Sequence, residues 1–502
     1  MGNDMIDAAI LGLQGILQWK AFALMIVGIL ISSTLVAMPG IGSKTAIALL
    51  LPFAFVLNKY EAIALIVSIW AVSNTANSIT SILFSIPGGG GSQATIMDGY
   101  PMAKKGEAAR ALAAAFTSSA LGGVVGAIVL LLAIPVLRPL VLVLGPPEFF
   151  MLVMMGVVMV GALSGKAPLK GIAVGAFGLA ISLIGIQEQS GVPRYTFEAI
   201  YLFDGIGLVP LTIGLFAIPE LIALAARKGT ISEVSLGDIS AGRLQGIKDA
   251  FSNWWLIIRS SIVGVWVGII PGLGSSVADW FAYGHALQTC KGARETFGTG
   301  DVRGVIAVDA ATNAKEGGAL IPTLAFGIPG SSTLALVFGG LLIVGVTPGR
   351  EILTTQLDVT FSIIWLLIIS SILTSLLCLT FVKQMAQATT LRPSILVPLV
   401  LGMAVLGSFA NSNRLEDVVV MIVFGIIGFI LRATGWPRPP LLLGLVLGPL
   451  AERFMWTSYQ IYEFSFLLRP GVLIIFGLLV LSLAYPLIQK RFMAKRQLET
   501  SL

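Results

Sequence analysis

Four Pro-Gly pairs interrupt the apolar sequence of this chain, and they come as two matching sets. MPGIGSK at Met38–Lys44 answers IPGLGSS at Ile270–Ser276, and SIPGGGGS at Ser85–Ser92 answers GIPGSST at Gly327–Thr333. Order and approximate spacing are both kept, with 48 residues from Pro39 to Pro87 and 58 from Pro271 to Pro329. In each set polar residues precede the second pair by about one helix length: Ser73, Asn74, Asn77, Ser78 and Thr80 in the first, Thr312, Asn313, Lys315 and Glu316 in the second. Proline removes a helical donor and clashes with the preceding turn, and an adjacent glycine lets the chain leave helical geometry. The repeat predicts two related halves, each with helices broken inside apolar surroundings.

Those surroundings are a lipid bilayer. A chain of 502 residues that is 56% hydrophobic and 11% charged, with a mean hydropathy of +0.94, is too apolar to be a soluble protein of this length. A spanning helix needs roughly 20 mostly apolar residues. Candidate spans recur at 21–38, 55–72, 112–136, 148–164, 168–186, 205–226, 255–270, 303–328, 331–348, 361–383, 394–410, 416–433, 439–450 and 471–488. The expected fold is an all-α polytopic membrane protein with about ten to fourteen spans, some of them broken or re-entrant. Two cysteines, Cys290 and Cys378, and a single histidine, His285, without metal-ligand spacing, exclude a disulfide scaffold and a zinc site. The net charge of +6 does not indicate nucleic acid, because Lys and Arg cluster beside spans at Lys104, Lys105 and Arg110, between Arg227 and Arg259, and at Lys490–Arg496.

The organisation follows from these clusters. Residues 1–20 read as an amphipathic helix lying on the membrane and ending at Trp19-Lys20, and 21–226 as the first transmembrane half. The longest polar stretch, 227–254, reads as a cytoplasmic linker, 255–488 as the second half and 489–502 as a basic cytoplasmic tail. After the first set DGYPMAKKGEAAR carries three basic and two acidic residues; after the second TPGREILTTQLD carries one basic and two acidic. The first segment is expected inside and the second outside, which makes the halves inverted-topology repeats with broken helices facing each other near the midplane.

Backbone groups freed by the breaks must find protein, water or ligand. A half-helix that starts after a break presents its positive end to an anion, and loosened carbonyls suit sodium. The expected substrate and ion site therefore comprises Pro39, Gly40, Gly42, Ser43, Asn74, Asn77, Pro87, Gly88, Ser92, Pro271, Gly272, Gly274, Ser275, Asn313, Pro329, Gly330, Ser331 and Ser332. The asparagines and serines would bond the substrate, and the glycines would let it approach the backbone. Lys44, Asp309 and Glu316 are the ionisable residues expected to assist in coupling. Lys315 beside Glu316 reads equally well as an ion pair at the membrane interface. GIGSKT at Gly40–Thr45 is not a phosphate-binding loop, since Ser43 stands where Gly must precede the lysine. GGGGS at Gly88–Ser92, set between apolar segments, reads as cavity lining rather than linker. No nucleophile-and-base pair or metal set points to an enzyme. An ion channel, or a carrier needing no partners, would use the same re-entrant segments.

With these residues in hand, the chain resembles the large permease subunit of the bacterial tripartite tricarboxylate transporters. The resemblance runs nearly end to end, through MPGIGSK, SIPGGGGSQATIMDGYPMAKKGEAARAL at Ser85–Leu112, GPPEFF at Gly145–Phe150, GVPRYTF at Gly191–Phe197, IPGLGSS, NAKEGGALIPTLAFGIPGSST at Asn313–Thr333 and PPLLLGLVLGPLAE at Pro439–Glu452. It implies an inner-membrane importer, driven by a sodium gradient, that takes a carboxylate from a soluble periplasmic binding protein and works with a small four-span membrane subunit. It implies no cofactor beyond the coupling ion. The chain departs from that family's pattern around the breaks: Ala76-Asn77 replace a Gly pair, Ser85 an Asn, Gly89-Gly90 a Thr-Pro, and Lys315-Glu316 small residues.

Overall fold

The computed structural model describes residues 2–37, 46–47, 50, 53–54, 57–163, 168–187, 189–226, 242–271, 273–347, 349–388 and 393–480. The first break with Pro39, Gly40, Gly42, Ser43 and Lys44, as well as Gly272, the 227–241 part of the polar stretch and the basic tail, lies outside the described residues.

The apolar sequence folds as helix, the form in which a segment pairs its own backbone groups without help from water. The chain opens with α1 (Gly2–Leu17) and α2 (Trp19–Ala37). Next comes α3 (Lys59–Phe84), started by a reciprocal cap in which Asn58 Oδ1 accepts from the Glu61 N–H at 3.0 Å and Glu61 Oε2 from the Asn58 N–H at 3.2 Å. The short α4 (Thr95–Lys104) and the long α5 (Ala108–Val143) follow, then α6 (Pro146–Leu163) and α7 (Pro168–Ser182). A minimal antiparallel ribbon pairs β1 (Gly185–Ile186) with β2 (Pro193–Arg194). α8 spans 208–225 and contains a π-helical stretch at Ile213–Ala217.

The second half begins with α9 (Arg243–Ser252) and α10 (Trp254–Ile269), and continues through α11 (Ser275–Thr289), α12 (Val302–Phe326), α13 (Ser332–Ile343) and α14 (Leu357–Ala388). α15 (Pro393–Phe409), α16 (Leu415–Ala433) and α17 (Pro439–Tyr462) complete it. Among the described residues, helix, buried helix, break, short helix and long helix thus occur twice, as α2, α3, α4, α5 and as α10, α12, α13, α14, with α11 between α10 and α12. Packing obeys the same exchange: α2 lies along α3 as α10 lies along α12, while α5 packs on α12 and α14 on α3. Each half lends its long helix to the buried helix of the other.

Small residues make this interlock possible. A Cβ on Gly122 or Gly126 of α5 would sit 2.1 or 2.5 Å from the Ala310 or Ala314 carbonyl of α12. On the adjoining face, a Cβ on Gly264 or Gly268 of α10 would meet the Ala311 or Lys315 carbonyl at 2.1 or 2.3 Å. Two glycine stripes at four-residue spacing therefore clamp α12 backbone to backbone, the contact on which helix association in lipid relies. Both α3 and α12 are buried along nearly their whole length.

Among the described residues four helices are long and apolar enough to cross a membrane unbroken: Trp19–Val36, Lys59–Phe84, Ala108–Val143 and Leu357–Val382. A further pair, Pro439–Leu468 with Pro470–Val480, is bent by 61°, and five apolar helices are shorter. Among the described residues unbroken spans are fewer than hydropathy alone counts, in part because breaks cut apolar runs into pieces. The expected 331–348 span, for instance, is the 12-residue α13. α1 is a separate helix laid against α14, where Trp365 Nε1 donates to the Ala9 carbonyl at 3.1 Å. The end of the polar stretch is helical too: α9 docks on α5 through Arg110 Nε, which donates to Asp249 at 2.6 Å.

Candidate functional site

The polar stripes foreseen on α3 and α12 face each other. Asn74, Asn77, Ser78 and Ser81 recur at three- and four-residue steps on α3, as do Asp309, Thr312 and Glu316 on α12, so each set lines one face. Asn74 Nδ2 donates to the Thr312 carbonyl at 3.1 Å and to Glu316 Oε1 at 2.7 Å. Ser78 donates to Asp309 Oδ1, and Thr95 Oγ1 donates to Asp309 Oδ2 at 3.3 Å. On the flank toward α5, the Asn313 amide donates to Thr75 and Ser119, whose hydroxyls are 2.8 Å apart.

The second break brings backbone into this centre. α3 ends at Ser85 in the left-handed region (φ 56°), and Pro87 cannot continue a helix. The chain then lies directly on α3: a Cβ on Gly88 would fall 2.5 Å from Thr80 Oγ1, and one on Gly89 2.4 Å from Asn77 Nδ2. A 3-10 turn at Gly90–Ser92 is held by Ser81 Oγ, which donates to the Ser92 carbonyl at 2.9 Å. Gly91 reaches furthest across, since a Cβ there would sit 2.6 Å from Ser275 Cβ, 3.2 Å from Thr312 Cγ2 and 3.5 Å from Asn74 Oδ1. The second and third breaks, one from each half, meet at this glycine.

The three described half-helix starts are not equivalent. The amides entering α4, on Gln93 and Ala94, already donate to Asp279 Oδ2 at 2.9 and 3.2 Å, so a carboxylate of α11 fills that positive end. α13 is capped by Ser331 Oγ, which accepts from the Leu334 N–H at 3.1 Å. α11 starts at Gly274 (φ +72°) without a side-chain cap. Beside it stands Lys315, whose Nζ is 3.3 Å from Ser275 Oγ and 2.9 Å from Glu316 Oε1. The Lys315 and Glu316 side chains are 1% and 6% exposed, so the pair is buried within the protein and not on its surface.

Of the residues expected in the site, Asn74, Asn77, Gly88, Ser275 and Glu316 converge here, with Ser92 and Asp309 one turn away. Pro271 leads into Gly274. Pro329 and Gly330 are buried further along α12, where the Gly330 N–H donates to Thr323 Oγ1 at 3.3 Å, and Ser332 begins α13. Pro87 is exposed, and Asn313 is turned to α5. Sequence reasoning counted Gly91 only within the Gly88–Ser92 run read as cavity lining, and left Lys315 undecided between the site and an interfacial ion pair; the signal for the lysine was a charge inside a predicted span. Asp98, another buried acid, is structural: its Oδ1 accepts from the Gly298, Gly300 and Asp301 N–H groups at 2.8–2.9 Å and its Oδ2 from the Tyr283 hydroxyl at 2.9 Å.

Two buried oxygens in the centre, Asn77 Oδ1 and Glu316 Oε2, have no hydrogen-bond partner among the described residues. An oxygen without a donor in such a place is costly unless a ligand, ion or water completes it. Two cavities open elsewhere: one of about 240 Å³ beside the fourth break, lined by Gly327, Arg350, Glu351 and Arg453, and one of about 310 Å³ around Arg194 and Glu452. The residues of the polar centre line neither.

This geometry, halves interlocked around a buried polar centre built from broken helices, agrees with a match to the model of the tripartite tricarboxylate transporter TctA family over residues 22–443. The chain belongs to that family. As a TctA-family protein it is the membrane permease of a tripartite tricarboxylate transporter. It is also similar to a protein of Agrobacterium vitis described as an uncharacterized 52.8 kDa protein in the TAR-I ttuC′ 3′ region, 31% identical over 463 residues that cover 90% of this chain and 89% of that one. An uncharacterized protein in the TAR-II ttuC′ 3′ region of the same organism is 33% identical over 192 residues, 38% of this chain and 79% of its own length. No solved structure matches the TctA-family chain.

Proposed function

We propose that this permease imports organic di- or tricarboxylates together with sodium across the bacterial inner membrane by alternating access. It takes its substrate from a soluble periplasmic carboxylate-binding protein and works with a small four-span membrane subunit. One observation carries the reading: break backbone from both halves meets at Gly91 and Ser275, against Asn74 and Thr312, within a buried polar centre. A site shared by two halves is exposed to one side or the other as the halves rock, which is the working principle of inverted-repeat carriers. The inverted orientation itself is supported by the charge difference between the loops that follow the two sets of breaks.

Sodium is a co-substrate in this reading. Asn77 Oδ1, buried beside the Gly88 backbone and without a donor among the described residues, is the oxygen best placed to bind it. The test is uptake of labelled citrate and succinate in cells expressing the chain with its partner subunits, with and without an inward sodium gradient. Saturable uptake that collapses without the gradient is expected. Fluxes that do not saturate would favour a channel, and undiminished uptake without the binding protein would favour an independent carrier.

A further inference from the structure

Among the described residues, the buried ion pair at the centre carries one unused donor and one unused acceptor. Lys315 Nζ has three hydrogens and two partners among the described residues, Glu316 Oε1 at 2.9 Å and Ser275 Oγ at 3.3 Å. Glu316 Oε1 accepts from both Lys315 and Asn74, while its Oε2 is buried with no partner among the described residues. Next to them α11 begins without a side-chain cap, so its first amide groups add positive potential at Ser275. The α4 and α13 starts, by contrast, are occupied by Asp279 and Ser331.

A ligand that completes this arrangement must bring an anionic acceptor to Lys315 and the start of α11, and a hydrogen-bond donor to Glu316 Oε2. A carboxylate with a hydroxyl on the neighbouring carbon has both, at the spacing of adjacent side-chain atoms. We infer that Lys315 and Glu316 form a specificity pair for 2-hydroxy acids: Lys315 and the α11 amides hold one substrate carboxylate, and Glu316 Oε2 accepts from its 2-hydroxyl. This rests on the carboxylate reading above and narrows it. Since the pair is buried, the halves must part to admit the acid. Once it is bound, the orphaned oxygen is satisfied, and an acid lacking the hydroxyl leaves it unpaired at a cost.

The test is equilibrium binding to the full-length permease with its small membrane subunit in lipid nanodiscs, using labelled malate in each enantiomer and competition by succinate, the same four-carbon diacid without the hydroxyl. The better malate enantiomer should bind about ten- to a hundredfold more tightly than succinate, the worth of one hydrogen bond to a buried charged group. In Glu316→Gln the amide oxygen must stay with Asn74 and Lys315, which places an NH2 where the acceptor was; it can only donate to the hydroxyl oxygen in a neutral hydrogen bond, so the preference should fall by about threefold or more. Lys315→Gln should weaken both acids alike, by about tenfold or more. Equal wild-type affinity for malate and succinate would sink the hydroxyl assignment while leaving the carboxylate reading intact, as would an unchanged ratio in Glu316→Gln. Unaltered binding in Lys315→Gln would remove the lysine from the site. No saturable binding of either acid would instead take down the carboxylate reading itself. The wild-type ratio needs no variant, so a substitution that fails to assemble still leaves the inference decided.

Discussion

Single residues around the polar centre are held at distances that leave no room for change. A Cβ on Gly330 would come 2.8 Å from Ala319 Cβ and 3.1 Å from its Cα. Gly330→Val should therefore push the start of α13 off α12 and reduce uptake to background, with the protein still present in the membrane fraction by immunoblot; normal uptake would refute a role for this close approach. Asp98 makes a complementary case. Asn in its place cannot accept from four donors with both side-chain atoms, and the unpaired donors should cost about 1–3 kcal/mol, seen as a lower melting temperature of the purified protein. The polar residues of α3 and α12 were legible because they break an apolar pattern where polarity is expensive. Their partners were not: nothing in the spacing of Asn313 says that it turns to Ser119 while Glu316, three residues on, turns to Asn74.

At the scale of elements, α12 decides the assembly, because α5 and α10 both close on its backbone through glycines. Leucine at Gly268, where a Cβ would meet the Lys315 carbonyl at 2.3 Å, should separate α10 from α12. Overpacking of this kind costs about 1–3 kcal/mol or more, and the variant should lose its monodisperse peak in size-exclusion chromatography. Leucine at Gly477, where a Cβ meets nothing within 4 Å, is the control and should elute as the wild type does. Broken helices were readable from the Pro-Gly pairs, since proline has no donor to continue a helix. Which half-helix starts remain open was not, because Asp279 reaches the start of α4 from another element 185 residues away.

For the whole molecule, the meeting of Gly91 and Ser275 joins the halves at the point where a carrier must open. A Gly91→Cys and Ser275→Cys pair, in a background with Cys290 and Cys378 replaced by serine, lies within disulfide reach once the backbone relaxes slightly, since the Cβ positions are 2.6 Å apart. Oxidation should block uptake and a reductant should restore it. Uptake that continues through a fully formed cross-link would show that the halves need not part here. The exchanged packing of the long helices, α5 on α12 and α14 on α3, explains why neither half is complete alone: each buried helix is covered by a helix from the other.

The amino-acid sequence by itself determined the solvent of this protein, its helical class, its duplication and the positions of its breaks. Each of these follows from local chemistry: apolar runs that only lipid can surround, backbone that must pair within its own segment, prolines that cannot continue a helix, and a motif written twice. Only the tertiary structure decided what the breaks face. Whether Lys315 is a surface charge or the buried neighbour of an uncapped helix start depends on α10 pressing on its backbone and on Gly91 and Ser275 arriving from separate halves. Such contacts join residues hundreds of positions apart, and they are set by the packing of whole helices, which no local pattern encodes.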